Sequence, residues 1–277
     1  MKNQAAYVPF YLQFIAEIEK GFLMLDETSR AEVAEFVKTQ QHKNGAFTDR
    51  AGNPDLYYSL FGAWLSKALN LDEQLTSMRK FIVSGKFASQ KGVSQFSVLL
   101  LGLMTGVPVY RKTGIIKLIR VFRETKNLGP AYRFFLFILS FDALYGKNRL
   151  LYFFTGIILR FYKPSEDLPC SFLAALLLAK FITGGKINRE VSLLQAFFEK
   201  GEGFKTFREQ PNADLLSTAV ALFALKKTGA DLRLIAPDCL KLAGENYEAG
   251  AFLSGDGDLS RDLEYTFYGL LILGVLS

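Results

Sequence analysis

The sequence predicts an all-α chain of six helical hairpins closed into an α6/α6 toroid, with an inner and an outer ring of helices. Three observations carry that prediction. The pattern Asp-Leu-x-x-Ser/Thr occurs four times, at Asp55–Ser59, Asp167–Ser171, Asp214–Thr218 and Asp262–Thr266. Each copy opens an apolar run of helical length, and two degraded copies fit the 112-residue gap between the first copy and the second. Amphipathic segments alternate with these runs, and no alternating apolar–polar stretch is flanked by hairpin turns.

Taken in order, the first element is an additional N-terminal helix at about Val8–Met24. The apolar runs are SLFGAWLSKAL (59–69), VSQFSVLLLGLM (93–104), AYRFFLFILSFDAL (131–144), SFLAALLLAKF (171–181), TAVALFALKK (218–227) and TFYGLLILGVL (266–276). They are apolar almost all round, as buried inner helices are. The segments 28–41, 71–84, 112–126, 147–162, 187–200 and 231–246 are two-faced and supply the outer helices. The aspartates suit helix starts, where a carboxylate caps free N–H groups and complements the helix dipole. Three loops read Asn-Gly-Ala-Phe47, Glu-Gly-Phe204 and Ala-Gly-Ala-Phe252, a tight glycine turn followed by a Phe able to staple the loop to the core. At 277 residues the length alone favours two domains, but one ring core of this kind predicts a single domain over 1–277.

Half of the residues are hydrophobic and 26 are Phe, enough for a large core with an apolar cavity. Cys170 and Cys239 fit no disulfide or zinc spacing and read as reduced thiols of a cytoplasmic protein. The first twenty residues lack a signal-peptide pattern, and no apolar stretch reaches the ~18–20 residues that span a bilayer. Between Arg111 and Lys163 eleven Lys or Arg face two acids, whereas the whole chain is only +6. Lys112, Lys117, Arg120, Arg123 and Lys126 share one predicted outer helix. Lys147, Arg149, Arg160 and Lys163 flank the next, which carries Tyr152, Phe153 and Phe154. This patch suits peripheral binding to an anionic membrane; nucleic acid is disfavoured because the aromatics are expected in the core. No P-loop, dinucleotide fingerprint or Gly-x-Ser-x-Gly elbow is present. His42, the single histidine, lies in a polar loop and is expected to be exposed.

The segments Gln40–Arg50 with Pro54–Tyr58, Gly203–Arg208 with Asp214, and Gly250–Phe252 with Arg261-Asp262 resemble repeats of the prenyltransferase and squalene-cyclase superfamily. The resemblance covers about 100 residues and implies inner helices around a cavity for an isoprenoid chain. It also implies positions for two chemistries. The acid motif of class II terpenoid cyclases maps onto Asp214-Leu-Leu-Ser-Thr-Ala-Val220, with Leu216 where the proton donor stands. The zinc ligands of protein prenyltransferases map onto Asp214, Leu216 and Tyr265, so the usual zinc site is absent. Arg208 matches a diphosphate-contacting arginine, with Lys205 close by and Arg50 similarly placed before Asp55. The neighbouring family lysine and tyrosine fall on Pro211 and Ser217.

From these residues the expected function is an isoprenoid transferase or cyclase. Asp214, Asp262 and Glu264 would act as acids, Arg208, Arg50 and Lys205 on a diphosphate, and Tyr57, Tyr58, Tyr265 and Tyr268 would line the cavity. No cofactor is expected, apart from Mg²⁺ carried by a diphosphate at the acidic turn Asp256–Glu264. The alternative is a non-catalytic toroid binding a lipid or a helical partner subunit, and a third reading is a carbohydrate-active barrel with a carboxylate pair.

Overall fold

A computed structural model of the chain describes residues 7–85, 93–108, 114–124, 130–146, 148–165 and 167–277. These residues are mostly helical, in the order α1 (Phe10–Met24), α2 (Glu27–Thr39), α3 (Leu56–Ala68), α4 (Asp72–Ser84), α5 (Val93–Thr105), α6 (Ile115–Glu124), α7 (Pro130–Tyr145), α8 (Arg149–Phe161), α9 (Cys170–Ile182), α10 (Asn188–Gln195), α11 (Leu215–Lys227), α12 (Ala236–Glu245) and α13 (Leu263–Leu276). Every apolar run and every two-faced segment contains one helix, and α1 precedes them. Lys112, Lys126 and Lys147 lie outside the described residues. The two-faced helices α10 and α12 are shorter than the pattern predicts. Beyond α10, Phe198–Glu199 (β1) pairs with Gly203–Phe204 (β2), and beyond α12, Tyr247–Glu248 (β3) pairs with Ala251–Phe252 (β4).

These small hairpins explain the repeated motif. Asp55, Asp214 and Asp262 cap α3, α11 and α13, each accepting a backbone N–H from the first turn. The Ser or Thr four residues on accepts the N–H of the turn's Phe: Phe47 to Ser59 Oγ at 2.9 Å, Phe204 to Thr218 Oγ1 at 3.0 Å and Phe252 to Thr266 Oγ1 at 3.3 Å. The three Phe side chains are fully buried. Gly62 and Gly269 make room for them, since a Cβ there would overlap the rings of Phe47 and Phe252. Gly45 and Gly250 hold positive φ, and a side chain on them would overlap the carbonyls of Ser77 in α4 and Glu32 in α2. The turn before α3 thus sits on α4, while the turn before α13 sits on α2.

Asp167 departs from the pattern. It is exposed, bonds Ser165 and caps nothing, because α9 starts three residues later, after Pro169. Proline suits a position that needs no N–H donor, and the Cys170 N–H goes to Thr206 O instead.

Each apolar helix packs on the next, α3 on α5, α5 on α7, α7 on α9, α9 on α11 and α11 on α13, and α13 also touches α3. α1 packs on α13, α3 and α7. Its Phe14 ring meets Trp64 (α3), Phe135 (α7), Phe223 (α11) and Phe267 (α13) at centroid distances of 5.9, 6.0, 4.5 and 5.8 Å. α1 and α13 approach backbone to backbone at Gly21 and Gly274, where any Cβ would overlap the other helix.

Polar groups hold α1 at its start and at its middle. Pro9 offers no capping side chain, so Asp142, in the last turn of α7, accepts the Phe10 N–H at 2.7 Å along with the hydroxyls of Tyr152 and Tyr7. Burial pushes the Asp142 carboxyl up to about 6, against the pull of Phe10 N–H and Tyr152. One helical turn from Gly21, buried Glu17 meets Lys20, Lys226 and Lys227 at 3.2–3.4 Å. Burial raises its pKa, the three ammonium groups lower it, and the net shift is downward.

Candidate functional site

The N-terminal ends of α9, α11 and α13 frame a cavity of about 550 Å³. Its apolar wall comes from Phe135, Leu168, Leu216, Val220, Tyr265 and Tyr268, and Phe135 is in turn backed by Phe14 of α1. Asp167, Asp214 and Asp256 also line it, and no Lys or Arg stands among its described lining residues. The three positions matched to family zinc ligands, Asp214, Leu216 and Tyr265, all face this one space. Leu216 offers no ligand atom, and among the described residues no group of three His, Cys, Asp or Glu is placed to hold a metal ion.

Asp214 is the polar centre of the wall. Its Oδ1 accepts the Ser217 N–H at 2.7 Å and its Oδ2 accepts the Thr206 hydroxyl at 2.5 Å. Burial pushes its pKa up, and these hydrogen bonds only partly oppose that shift.

Behind Tyr265 lies a second polar cluster. Glu264, within the first turn of α13, is buried and accepts the Tyr57 hydroxyl. Burial pushes it up to about 7, with Asp262 adding to the shift while Tyr57 and Arg50 oppose it. Asp262 accepts from Arg50 Nε at 2.6 Å, and the same guanidinium reaches Asp258. Burial still holds the Asp262 pKa above its ordinary value. Arg50 lies 5.6 Å from the Tyr265 ring centroid. The Tyr265 phenol is shifted up by burial and then by Glu264, Asp214, Asp256 and Asp262, so it stands between both groups of acids. Tyr58 is pushed up to about 12, by burial and then by the Asp262 and Glu264 charges.

Of the residues singled out from sequence, Asp214, Tyr265 and Tyr268 meet in the cavity. Tyr57, Tyr58, Asp262 and Glu264 do not line it; they form the cluster behind it with Arg50. The three basic residues expected on a diphosphate do not converge there. Arg50 lines a separate open groove with His42, Lys43 and Arg261. The Arg208 guanidinium lies 5.1 Å from the Phe197 ring centroid, and Lys205 pairs with Glu199 at 3.2 Å. His42 is half-buried rather than exposed, its Nδ1 accepting the Asn44 N–H.

Two features escaped the sequence reading. Asp142 had a signal, a single acid inside an otherwise apolar helix, while the packing of α1 against α3, α7 and α13 had none. Among the described residues no helix is long and apolar enough to cross a membrane. No family model, curated protein or solved structure matches the chain.

Proposed function

We propose that the chain is a closed α6/α6 toroid that binds a long apolar ligand of the isoprenoid class in the cavity at the ends of α9, α11 and α13. Ring closure is supported by the contact of α13 with α3 and by the seating of the Gly250 turn on α2. α1 then runs through the centre of the ring, and the ligand space is the part that α1 leaves open. The observation that carries the reading is the cavity itself, whose size falls within the ~300–1,000 Å³ typical of small-molecule sites and whose wall is aromatic and aliphatic.

Binding is favoured over diphosphate transfer by the charge of the lining. Asp167, Asp214 and Asp256 face the space, and Arg50, Lys205 and Arg208 are engaged elsewhere. Native mass spectrometry with C10 to C20 prenyl alcohols and the matching diphosphates tests this. The alcohols are expected to bind, the diphosphate to add no affinity, and Val220→Trp, which fills the cavity, to weaken binding by at least about tenfold. Unchanged binding by Val220→Trp, or binding only of the diphosphates through Arg208, would refute the reading.

A second reading has one observation of its own. Asp214, kept toward its protonated form by burial, faces the apolar space and could give a proton to a bound alkene. Conversion of a linear polyene to a cyclic product separates this reading from simple binding.

A further inference from the structure

The outer helix α8 is turned inside out relative to an ordinary amphipathic helix. Leu150, Phe153, Phe154, Ile157, Ile158 and Phe161 follow the spacing i, i+3, i+4, i+7, i+8, i+11, which makes one continuous stripe. In a surface helix that stripe normally faces the core, yet here all six residues are exposed, with Leu150 at 73%, Ile158 at 70% and Phe161 at 78%. The opposite face does the packing. Tyr152 is the buried residue of the helix and reaches Asp142 at 2.8 Å, and Gly156 lies against Thr183. The face is contiguous and large, well beyond the scattered apolar residues of a normal surface.

The charges around it identify what covers it. α8 carries no acid; Arg149 and Arg160 flank the stripe and Lys163 follows just beyond. On the preceding outer helix α6, Ile116 and Ile119 are exposed among the exposed Lys117, Arg120 and Arg123. A second copy docking on this face would set like charges against each other, whereas an anionic surface complements them. At ~1.5 Å per residue, the thirteen residues of α8 extend only about 20 Å, too short to span a bilayer and suited to lying in its plane.

We propose that α8 is an interfacial anchor that lies flat on an anionic phospholipid surface. The Leu150–Phe161 stripe enters the boundary between headgroups and acyl chains, and Arg149, Arg160 and Lys163 sit at phosphate level. The inference does not depend on the cavity reading. It uses Phe153 and Phe154, two aromatics of the basic patch read from the sequence, which the structure leaves exposed.

The test is co-flotation of the full chain with large unilamellar vesicles of phosphatidylcholine and phosphatidylglycerol at 3:1, in low salt. Wild type is expected to float, to bind pure phosphatidylcholine vesicles about tenfold or more weakly, and to be released in part by 1 M salt. The variant Phe154→Glu/Phe161→Glu is expected to lose about a hundredfold in partitioning while keeping its helical circular dichroism, since both sites are exposed. Phe161→Trp supplies a reporter, because the native Trp64 is fully buried, and its emission should shift to the blue on adding vesicles. Failure of wild type to float, or equal flotation of the double-Glu variant, overturns the proposal. So does a dimer in sedimentation that the double-Glu variant loses, because a second copy would then cover the stripe.

Discussion

Replacing Phe14 by alanine probes whether α1 is a true member of the core. The Phe14 ring is 1% exposed and meets aromatic rings from α3, α7, α11 and α13 at 4.5–6.0 Å. Deleting a buried Phe side chain costs about 3–5 kcal/mol, through lost transfer energy and the cavity left behind. The upper part of that range applies here. Four helices border the space, each also held by its own neighbours, so none can close the gap without giving up other contacts. A loss of about 4 kcal/mol corresponds to a fall of roughly 10 °C in Tm for a chain of this size. Urea unfolding followed by far-UV circular dichroism measures it, with Phe154→Ala, at 60% exposure, as the control expected within about 0.5 kcal/mol of wild type. A loss below about 1 kcal/mol for Phe14→Ala would refute the packing of α1 against α3, α7, α11 and α13.

Two further substitutions test the buried charges. Glu264 has a folded pKa of about 7 against an ordinary 4.5, so the native state holds its proton more tightly. Its contribution to stability is therefore full below pH 4.5 and lost as pH rises to 7. Glu264→Gln should remove a decline of about 3 kcal/mol over that window, leaving the slope due to the other buried carboxyls, Asp142, Asp214 and Asp262, and urea midpoints at pH 5 and 7.5 check this. Lys180 and Glu190 form a buried pair at 2.6 Å, with Lys180 also donating to the Tyr162 carbonyl. Lys180→Met alone should cost about 3–5 kcal/mol by stranding the carboxylate, and Lys180→Met/Glu190→Leu should recover most of it in the same unfolding assay.

What could be read from the sequence was local. The aspartate caps and the stapling Phe of the glycine turns follow from side-chain chemistry within about fifteen residues, so Asp214, Asp262, Phe47 and Phe252 do what their motifs implied. The same spacing misled at Asp167, because Pro169 moved the helix start and left the aspartate in the loop. The cavity was legible in part. Asp214, Tyr265 and Tyr268 stand at helix starts that the repeat defines, whereas Phe135 and Val220 look like any other core residue. Arg208 and Lys205 failed to converge because a place in a repeat fixes where a backbone passes, but not which neighbour claims a long side chain. Phe197 and Glu199 claimed these two. Periodicity has the same blindness for α8: it gives the angle between an apolar and a polar face, and nothing in one helix says which of them points inward.

The clasp of α1 on α13 through Gly21 and Gly274 joins the first and the last of the described helices. While a ribosome extends the chain, Phe10, Phe14 and Ile18 leave the exit tunnel with most of their partners still unwritten. α1 must then wait, either covered by a chaperone or loosely held on α3, until Leu263–Leu276 emerges. Folding is expected to be slower than the helical content alone suggests, because the α1–α13 contacts are among the most distant in sequence.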